Sequence, residues 1–206
     1  AVAKLGHPNT IVLYDYGRTD DDLYYYAMEY VNGTTLTRHV HGHGALAPTD
    51  AIHVALQIGG SLREAHEAGM VHRDLKPSNV MLTTKGGDPF FVKVLDFGVV
   101  KVMGEDVDLE LTKSGMLLGS PRYMAPEQVT SRDVDHRADI YAFGAVLYHA
   151  VTGGPPFRQG TQYEVLRAQV EQAPPPFDEV APRRQRCERL EALVLRCLAK
   201  EPDERP

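Results

Sequence analysis

The sequence is short of cysteine and of long apolar runs, and it carries no excess of positive charge. Its two cysteines, Cys187 and Cys197, make neither a CxxC pair nor a disulfide framework. Both are expected in a late helix as reduced, partly buried thiols, which points to a reducing, cytoplasmic compartment. The longest apolar stretch, Ile140 to Val151, is too short to span a bilayer and carries His149. The opening AVAKLGHPNT lacks the charged-then-apolar pattern of a secretory signal, and any membrane anchor is expected outside this segment. Lys and Arg number 22 against 28 Asp and Glu, a formal net charge of −6. Nucleic acid is therefore not an expected partner, because phosphate contacts need clustered Lys and Arg. No internal repeat or low-complexity tract occurs. What is present is globular: 206 residues, 43 % hydrophobic and 24 % charged, with 18 Gly and 14 Pro. That excludes wholesale disorder, a collagen-like repeat and a coiled coil, and the length can bury a core.

Six of the ten tyrosines fall between Tyr14 and Tyr30, so a β-rich opening is expected before a mostly helical body. Residues 10–16 and 23–31 are β-branched and aromatic and read as two antiparallel strands, with Asp20, Asp21 and Asp22 as their turn. Residues 34–40 read as a short helix. His39, His41 and His43 follow around two glycines and read as a solvated loop, because no Cys or carboxylate stands at metal-ligand spacing. Pro48-Thr49-Asp50 opens a long helix, with Thr49 or Asp50 as cap, Ile52, Leu56, Gly59 and Leu62 as its apolar positions, and Gly69 as its stop. Residues 70–82 read as a loop with short strands, Gly86-Gly87 as a turn, and Phe90 to Leu95 as a strand. The stretch 96–127 reads as irregular, with an acidic run from Glu105 to Glu110. Three helices are expected after it, over 139–151, 163–169 and 187–198.

Three short strings carry the chemistry: His72-Arg73-Asp74-Leu75-Lys76-Pro77-Ser78-Asn79, then Asp96-Phe97-Gly98, then Ala125-Pro126-Glu127. Each alone is weak, and together in this order they are specific. They resemble the signature set of eukaryotic-type (Hanks-type) serine/threonine protein kinases. Lys76 within HRDLKP, and Gly119 to Met124 ahead of APE, are similar to serine/threonine rather than tyrosine kinases. The strings KPSNVML, APEQ and DHRADIYAFGAVLYHAVTG are similar to bacterial members.

The resemblance implies a set of roles. Phosphoryl transfer rests on positioning and charge neutralisation. Asp74 is expected to accept or orient the substrate hydroxyl proton, and Lys76 to neutralise the transferred γ-phosphate of ATP. Asn79 and Asp96 offer the hard oxygen ligands that Mg²⁺ prefers. Met28-Glu29-Tyr30-Val31 matches the gatekeeper and hinge, with the backbone of Glu29 and Val31 bonding the adenine edge above Met81. Leu13, His72 and Phe97 match a stacked spine anchored by Asp139, and Arg205 matches an arginine that pairs with Glu127. Thr112 and Ser114 are expected sites of activating phosphorylation, with Arg73 to pair with the phosphate. Ser120 keeps a hydroxyl within expected reach of Asp74 and Lys76.

The implied fold is α+β and protein-kinase-like: residues 1–31 as a two-stranded small-lobe remnant with the hinge, and 32–206 as a mostly helical large lobe. The family domain opens with a glycine-rich loop, a strand lysine and a helix glutamate, and none precedes His7. The family also continues into a final helix beyond the position of Pro206. The chain is thus expected to be a partial domain, inactive alone, of an enzyme that phosphorylates Ser and Thr hydroxyls of proteins. A pseudokinase-like scaffold or a non-functional fragment is the alternative. A scaffold predicts erosion of Asp74, Asn79 or Asp96, and all three are present.

Overall fold

The two tyrosine-rich runs do pair. In the computed structural model, which describes residues 5–21, 23–97, 120–130, 133–182 and 187–206, β1 (Leu13–Arg18) and β2 (Tyr24–Met28) form an antiparallel two-stranded sheet. Tyr16 lies opposite Tyr26 and Gly17 opposite Tyr25. Both strands are shorter than the sequence pattern suggests. The turn closes where the Thr19 N–H donates to the Leu23 carbonyl at 2.8 Å; Asp22 lies outside the described residues. Tyr14, Tyr16, Tyr24, Tyr25 and Tyr26 are all exposed, so this hairpin contributes its backbone pairing and little to the core.

The segment ahead of the hairpin is tied to the body of the molecule. The N–H groups of Gly6 and His7 donate to the Glu64 carboxylate, both at 2.9 Å. The Asn9 amide donates to Gln57 Oε1 and to the Val92 carbonyl, both at 2.8 Å. Ile11 and Asn9 exchange backbone bonds with Val94 at 2.9 and 2.7 Å.

After β3 (Gly33–Thr35) comes α1 (Leu36–His43), whose first turn is capped by the Thr35 hydroxyl accepting from the Arg38 N–H at 3.2 Å. This corrects the loop expected for His39, His41 and His43, which all lie on α1. Buried Leu36 and Val40, one turn apart, draw the segment into a helix, and Gly44 at φ 85° ends it. His39 stacks on His43 with ring centroids 4.8 Å apart. Among the described residues no cluster of three or more His, Cys, Asp or Glu is placed to hold a metal ion.

The long helix α2 (Pro48–Glu67) opens at Pro48 as expected, but neither Thr49 nor Asp50 is its cap. Pro48 takes the first helical position, where its missing N–H is no loss, and Ala47 precedes it without any side-chain cap. The buried face matches the expectation at Leu62 and differs at Ile52 and Leu56. Ala51, Val54, Ile58, Leu62 and Ala65 are buried, whereas Ile52 is 40 % and Leu56 72 % exposed. Two apolar stripes satisfy helical spacing, and the one with small residues at both ends wins because it lets α2 approach its neighbours.

Those neighbours are a sheet and a helix. β4 (Val80–Lys85) and β5 (Asp88–Val94) join β3 in a three-stranded antiparallel sheet of order β3-β4-β5. The β4–β5 turn needs positive φ at both central residues, and Gly86 and Gly87 supply 60° and 86°. Part of the expected irregular stretch is ordered: a 3-10 turn at Pro121–Tyr123 and a short helix α3 (Pro126–Val129). The acidic run from Glu105 to Glu110 lies outside the described residues.

The remaining helices are α4 (Arg137–Thr152), α5 (Gln162–Glu171), the short α6 (Phe177–Val180) and α7 (Glu188–Cys197). α4 is buried on nearly every side and runs through the core formed with α2, α7 and the sheet. Gly144 allows the close approach of α7: a Cβ there would lie 2.6 Å from the Cβ of Cys197. Both cysteines are free, Cys197 buried and Cys187 half-buried just ahead of α7. Burial pushes the Cys197 thiol up to about 11. No helix among the described residues is long and apolar enough to cross a membrane.

Candidate functional site

The loop between α2 and β4 is held by one carboxylate. Asp139, in the first turn of α4 and fully buried, accepts the backbone N–H groups of His72 and Arg73, each at 2.8 Å. The ring Nε2 of His66, near the end of α2, lies 2.8 Å from the same carboxylate. Two N–H groups directed at one carboxylate force a sharp bend, and Arg73 takes φ 66° to make it. Gln128 of α3 adds a clamp, donating to the Arg73 carbonyl at 2.8 Å while its Oε1 accepts the Ala125 N–H at 3.0 Å.

His72 occupies the centre of this loop. Its Nε2 lies 2.9 Å from the Leu95 carbonyl, and its Nδ1 accepts the Asp74 N–H at 3.3 Å. That pairing assigns the proton to Nε2, since a carbonyl can only accept. The ring packs against buried Phe97 with centroids 4.7 Å apart. His72 thereby connects the loop to the Asp96-Phe97 segment after β5.

The polar cluster follows from this frame. Lys76 Nζ lies 2.6 Å from Asp74 Oδ2. Asn79, buried in a 3-10 turn at Pro77–Asn79, donates its amide to the Asp74 carbonyl at 3.0 Å. The Asn79 carbonyl accepts the Leu95 N–H at 2.8 Å, which sets Asn79 beside the segment that carries Asp96. Asp96 has φ 58°; among the described residues it and Arg73 are the only non-glycines at positive φ, a conformation that costs on the order of 1–3 kcal/mol each. Burial pushes the Asp96 carboxyl upward; the neighbouring Asp74 adds to this, and Lys76 opposes it. Three oxygen-bearing side chains therefore converge with a deficit of positive charge. The donors are hard oxygens, so the site fits a Mg²⁺ ion.

The expected hinge lies between β2 and β3. Glu29 is fixed by its own N–H donating to the Val12 carbonyl at 2.9 Å, while its carboxylate accepts the Val12 N–H at 2.9 Å. Met81 sits on β4 between Thr35 of β3 and Lys93 of β5. Lys93, buried and paired with the Glu29 carboxylate, is a contact that sequence reading did not single out. Gln128 and His66 are further examples: each stands near a recognised string, but binds a group tens of residues away.

Ser120 immediately precedes the 3-10 turn, where its carbonyl accepts the Tyr123 N–H at 3.0 Å. Among the described residues no hydrogen bond joins its hydroxyl to Asp74 or Lys76, which pair with each other. Thr112 and Ser114 lie outside the described residues. Arg73 presents its side chain to solvent. Behind the turn, Tyr123 Oη lies 2.7 Å from His149 Nδ1 on α4. The Gln169 amide of α5 holds the Pro121 carbonyl at 3.0 Å. Burial drives His149 down to about 4 and Tyr123 up to about 12.

Comparison with known proteins agrees with this geometry. The protein kinase domain family matches residues 1–206. Serine/threonine-protein kinase pkn3 of Myxococcus xanthus is 38 % identical over all of this chain and 38 % of its own length. PknB of Mycolicibacterium smegmatis is 36 % identical over 98 % of this chain and 32 % of its own length. The chain thus spans about a third of the length of these curated relatives. Among solved structures, the PknI kinase domain of Mycobacterium tuberculosis superposes with a TM-score of 0.73 at 28 % identity, covering 99 % of this chain and 68 % of that one. Rad53 residues 1–466 in complex with AMP-PNP superpose with a TM-score of 0.80 at 27 % identity, covering 99 % of this chain and 49 % of that one. With the His72-Arg73-Asp74 string pinned by Asp139, the Asp96-Phe97 segment joined to it through His72, and a family match along its whole length, the chain belongs to the protein kinase domain family and has its α+β fold.

Proposed function

We propose that the protein carrying this chain transfers the γ-phosphate of ATP to serine and threonine hydroxyls of protein substrates. The observation that carries this reading is the cluster of Asp74, Lys76 and Asn79 beside Asp96, on a loop pinned by Asp139. In this reading the substrate hydroxyl oxygen attacks the γ-phosphorus as ADP leaves, and Asp74 receives the hydroxyl proton. Lys76, already oriented by its bond to Asp74, offers its ammonium to the transferred phosphoryl group. Asn79 and Asp96 would hold Mg²⁺, which supplies charge neutralisation for the phosphates. The backbone of Glu29 and Val31 bonds the adenine edge over Met81. Residues 1–31 then act as small-lobe strands with the hinge, and 32–206 as the large lobe.

Phosphorylation of Thr112 or Ser114 is proposed to recruit the exposed Arg73, whose backbone is fixed on both sides and whose side chain is left to pair with an anion. A scaffold without catalysis is the less favoured reading, since Asp74, Lys76 and Asn79 are present and bonded to one another and Asp96 is present in the adjoining segment.

The test is phosphate transfer from ATP to a generic basic protein by the natural protein and by its Asp74→Asn variant. The expected loss is about 10²–10⁴-fold in turnover, the usual contribution of a positioned acid or base, with unchanged thermal melting and ATP affinity. Near-normal turnover by Asp74→Asn removes Asp74 from the assignment. Absence of transfer by the natural protein, with ATP still bound, supports the scaffold.

A further inference from the structure

Glu29 is held by a lysine that phosphate transfer itself does not use. Lys93 lies on β5, directly opposite Met81 of β4. Directly opposed residues of antiparallel strands project from the same face of the sheet, so Lys93 rises beside the residue read as the floor of the base site. It is 8 % exposed. Its ammonium donates to the Thr10 carbonyl at 3.1 Å and to Glu29 Oε1. The same oxygen accepts the Val12 N–H at 2.9 Å. Glu29 is thus held on three sides: by Val12 through its own N–H, by Val12 again through its carboxylate, and by an ammonium anchored in β5.

A buried ion pair is a weak source of stability, because a well-packed apolar pair of similar volume often does as well. What this one adds is definition. Without the lysine, Glu29 keeps only its two bonds to Val12, and reaches β5 indirectly through the neighbouring Ile11, whose N–H donates to the Val94 carbonyl at 2.9 Å. With Lys93 in place, the Glu29 backbone is referenced to the three-stranded sheet that also carries Met81.

We infer that Lys93 is a positioning residue for the purine base, fixing through the Glu29 carboxylate the hinge edge to which the base bonds. The inference rests on the hinge reading given above. It concerns the base and not the phosphates, and that difference makes it testable. Removal of the pair should weaken ligands that carry adenine and leave the phosphate subsite as it was.

The experiment uses the natural protein, with phosphate transfer measured at varied ATP, and inorganic tripolyphosphate as a competitor that has no base. Lys93→Met and Glu29→Gln are each expected to raise KM for ATP by roughly tenfold, with kcat within about twofold and tripolyphosphate inhibition unchanged. Lys93→Arg is expected to recover most of the affinity. An unchanged KM for both variants overturns the inference. So does a parallel loss of ATP affinity, tripolyphosphate inhibition and thermal stability, which marks a role in folding alone. Should Lys93→Met fail to fold, the isosteric Glu29→Gln decides between these outcomes. If the unaltered protein neither binds ATP nor transfers phosphate, the hinge reading itself falls. That result is distinct from an unaltered protein that works and a Lys93→Met variant that matches it.

Discussion

Arg205 and Glu127 meet fork to fork, with Nη1–Oε1 at 2.6 Å and Nη2–Oε2 at 2.8 Å. Both side chains are buried, at 0 % and 5 % exposure. The other three N–H donors of Arg205 go to the carbonyls of Ala199, Arg137 and Lys200 at 3.0, 2.7 and 3.1 Å. Every donor of the guanidinium is therefore used, and the pair ties α3 to α4 and to the chain after α7.

Breaking this pair should be expensive. Arg205→Met leaves the Glu127 carboxylate buried without a partner, at an expected cost of about 3–5 kcal/mol. The double variant Arg205→Met/Glu127→Leu should recover much of that loss, because no uncompensated charge remains. Urea unfolding of the two variants and the parent checks both statements. Equal stability of the single variant and the parent would show that the charge escapes to solvent.

Acid sensitivity should pass through His149. Its folded value, about 4, lies below the ordinary histidine value because burial disfavours the charged ring, and Arg158 adds to the effect. Between about pH 4 and pH 6.5 the unfolded chain holds a proton that the folded chain does not, so stability rises with pH across that window. The contribution is complete above 6.5 and is lost as pH falls toward 4. Urea unfolding from pH 4.5 to 7.5 should show this slope, and His149→Gln should flatten it.

The two stripes of α2 should respond oppositely to truncation. Ile58 is fully buried, and Ile58→Ala should cost about 2–5 kcal/mol. Leu56 is 72 % exposed, and Leu56→Ala should stay within about 0.5 kcal/mol. Chemical denaturation of the pair measures both.

Asp96 should make nucleotide affinity depend on the metal. In the natural protein, Asp96→Asn is expected to weaken ATP binding in Mg²⁺ by at least roughly tenfold and to leave binding in excess EDTA little changed. Titration calorimetry with and without chelator gives the comparison. An Asp96→Asn protein with full Mg²⁺ dependence would move the metal site elsewhere.

The sequence carried the site more clearly than its frame. Asp74, Lys76, Asn79 and Asp96 were legible because their spacing within short strings is itself the chemistry. The anchor at Asp139 was legible only through the resemblance, since no local signal links it to His72. Gln128, His66 and Lys93 were not legible as partners: each acts across a distance in sequence that no periodicity spans. The α2 face was misread for a different reason. Ile52 and Leu56 satisfy helical spacing as well as Val54 and Ile58 do, and only the shape of the neighbouring sheet and helix decides between them. The histidines of α1 were misread because Gly42 and Gly44 suggested a loop, while burial of Leu36 and Val40 decided for a helix.

The bond from the His72 N–H to Asp139 joins residues 67 positions apart. On a ribosome adding about 5–20 residues per second, roughly 3–13 s separate the synthesis of the two. Throughout that interval the loop bearing Asp74, Lys76 and Asn79 has been made, but the carboxylate that bends it does not yet exist. Translation thus sets a clock on assembly. The site's polar groups come early, and the buried acceptor that gives them a shape comes late.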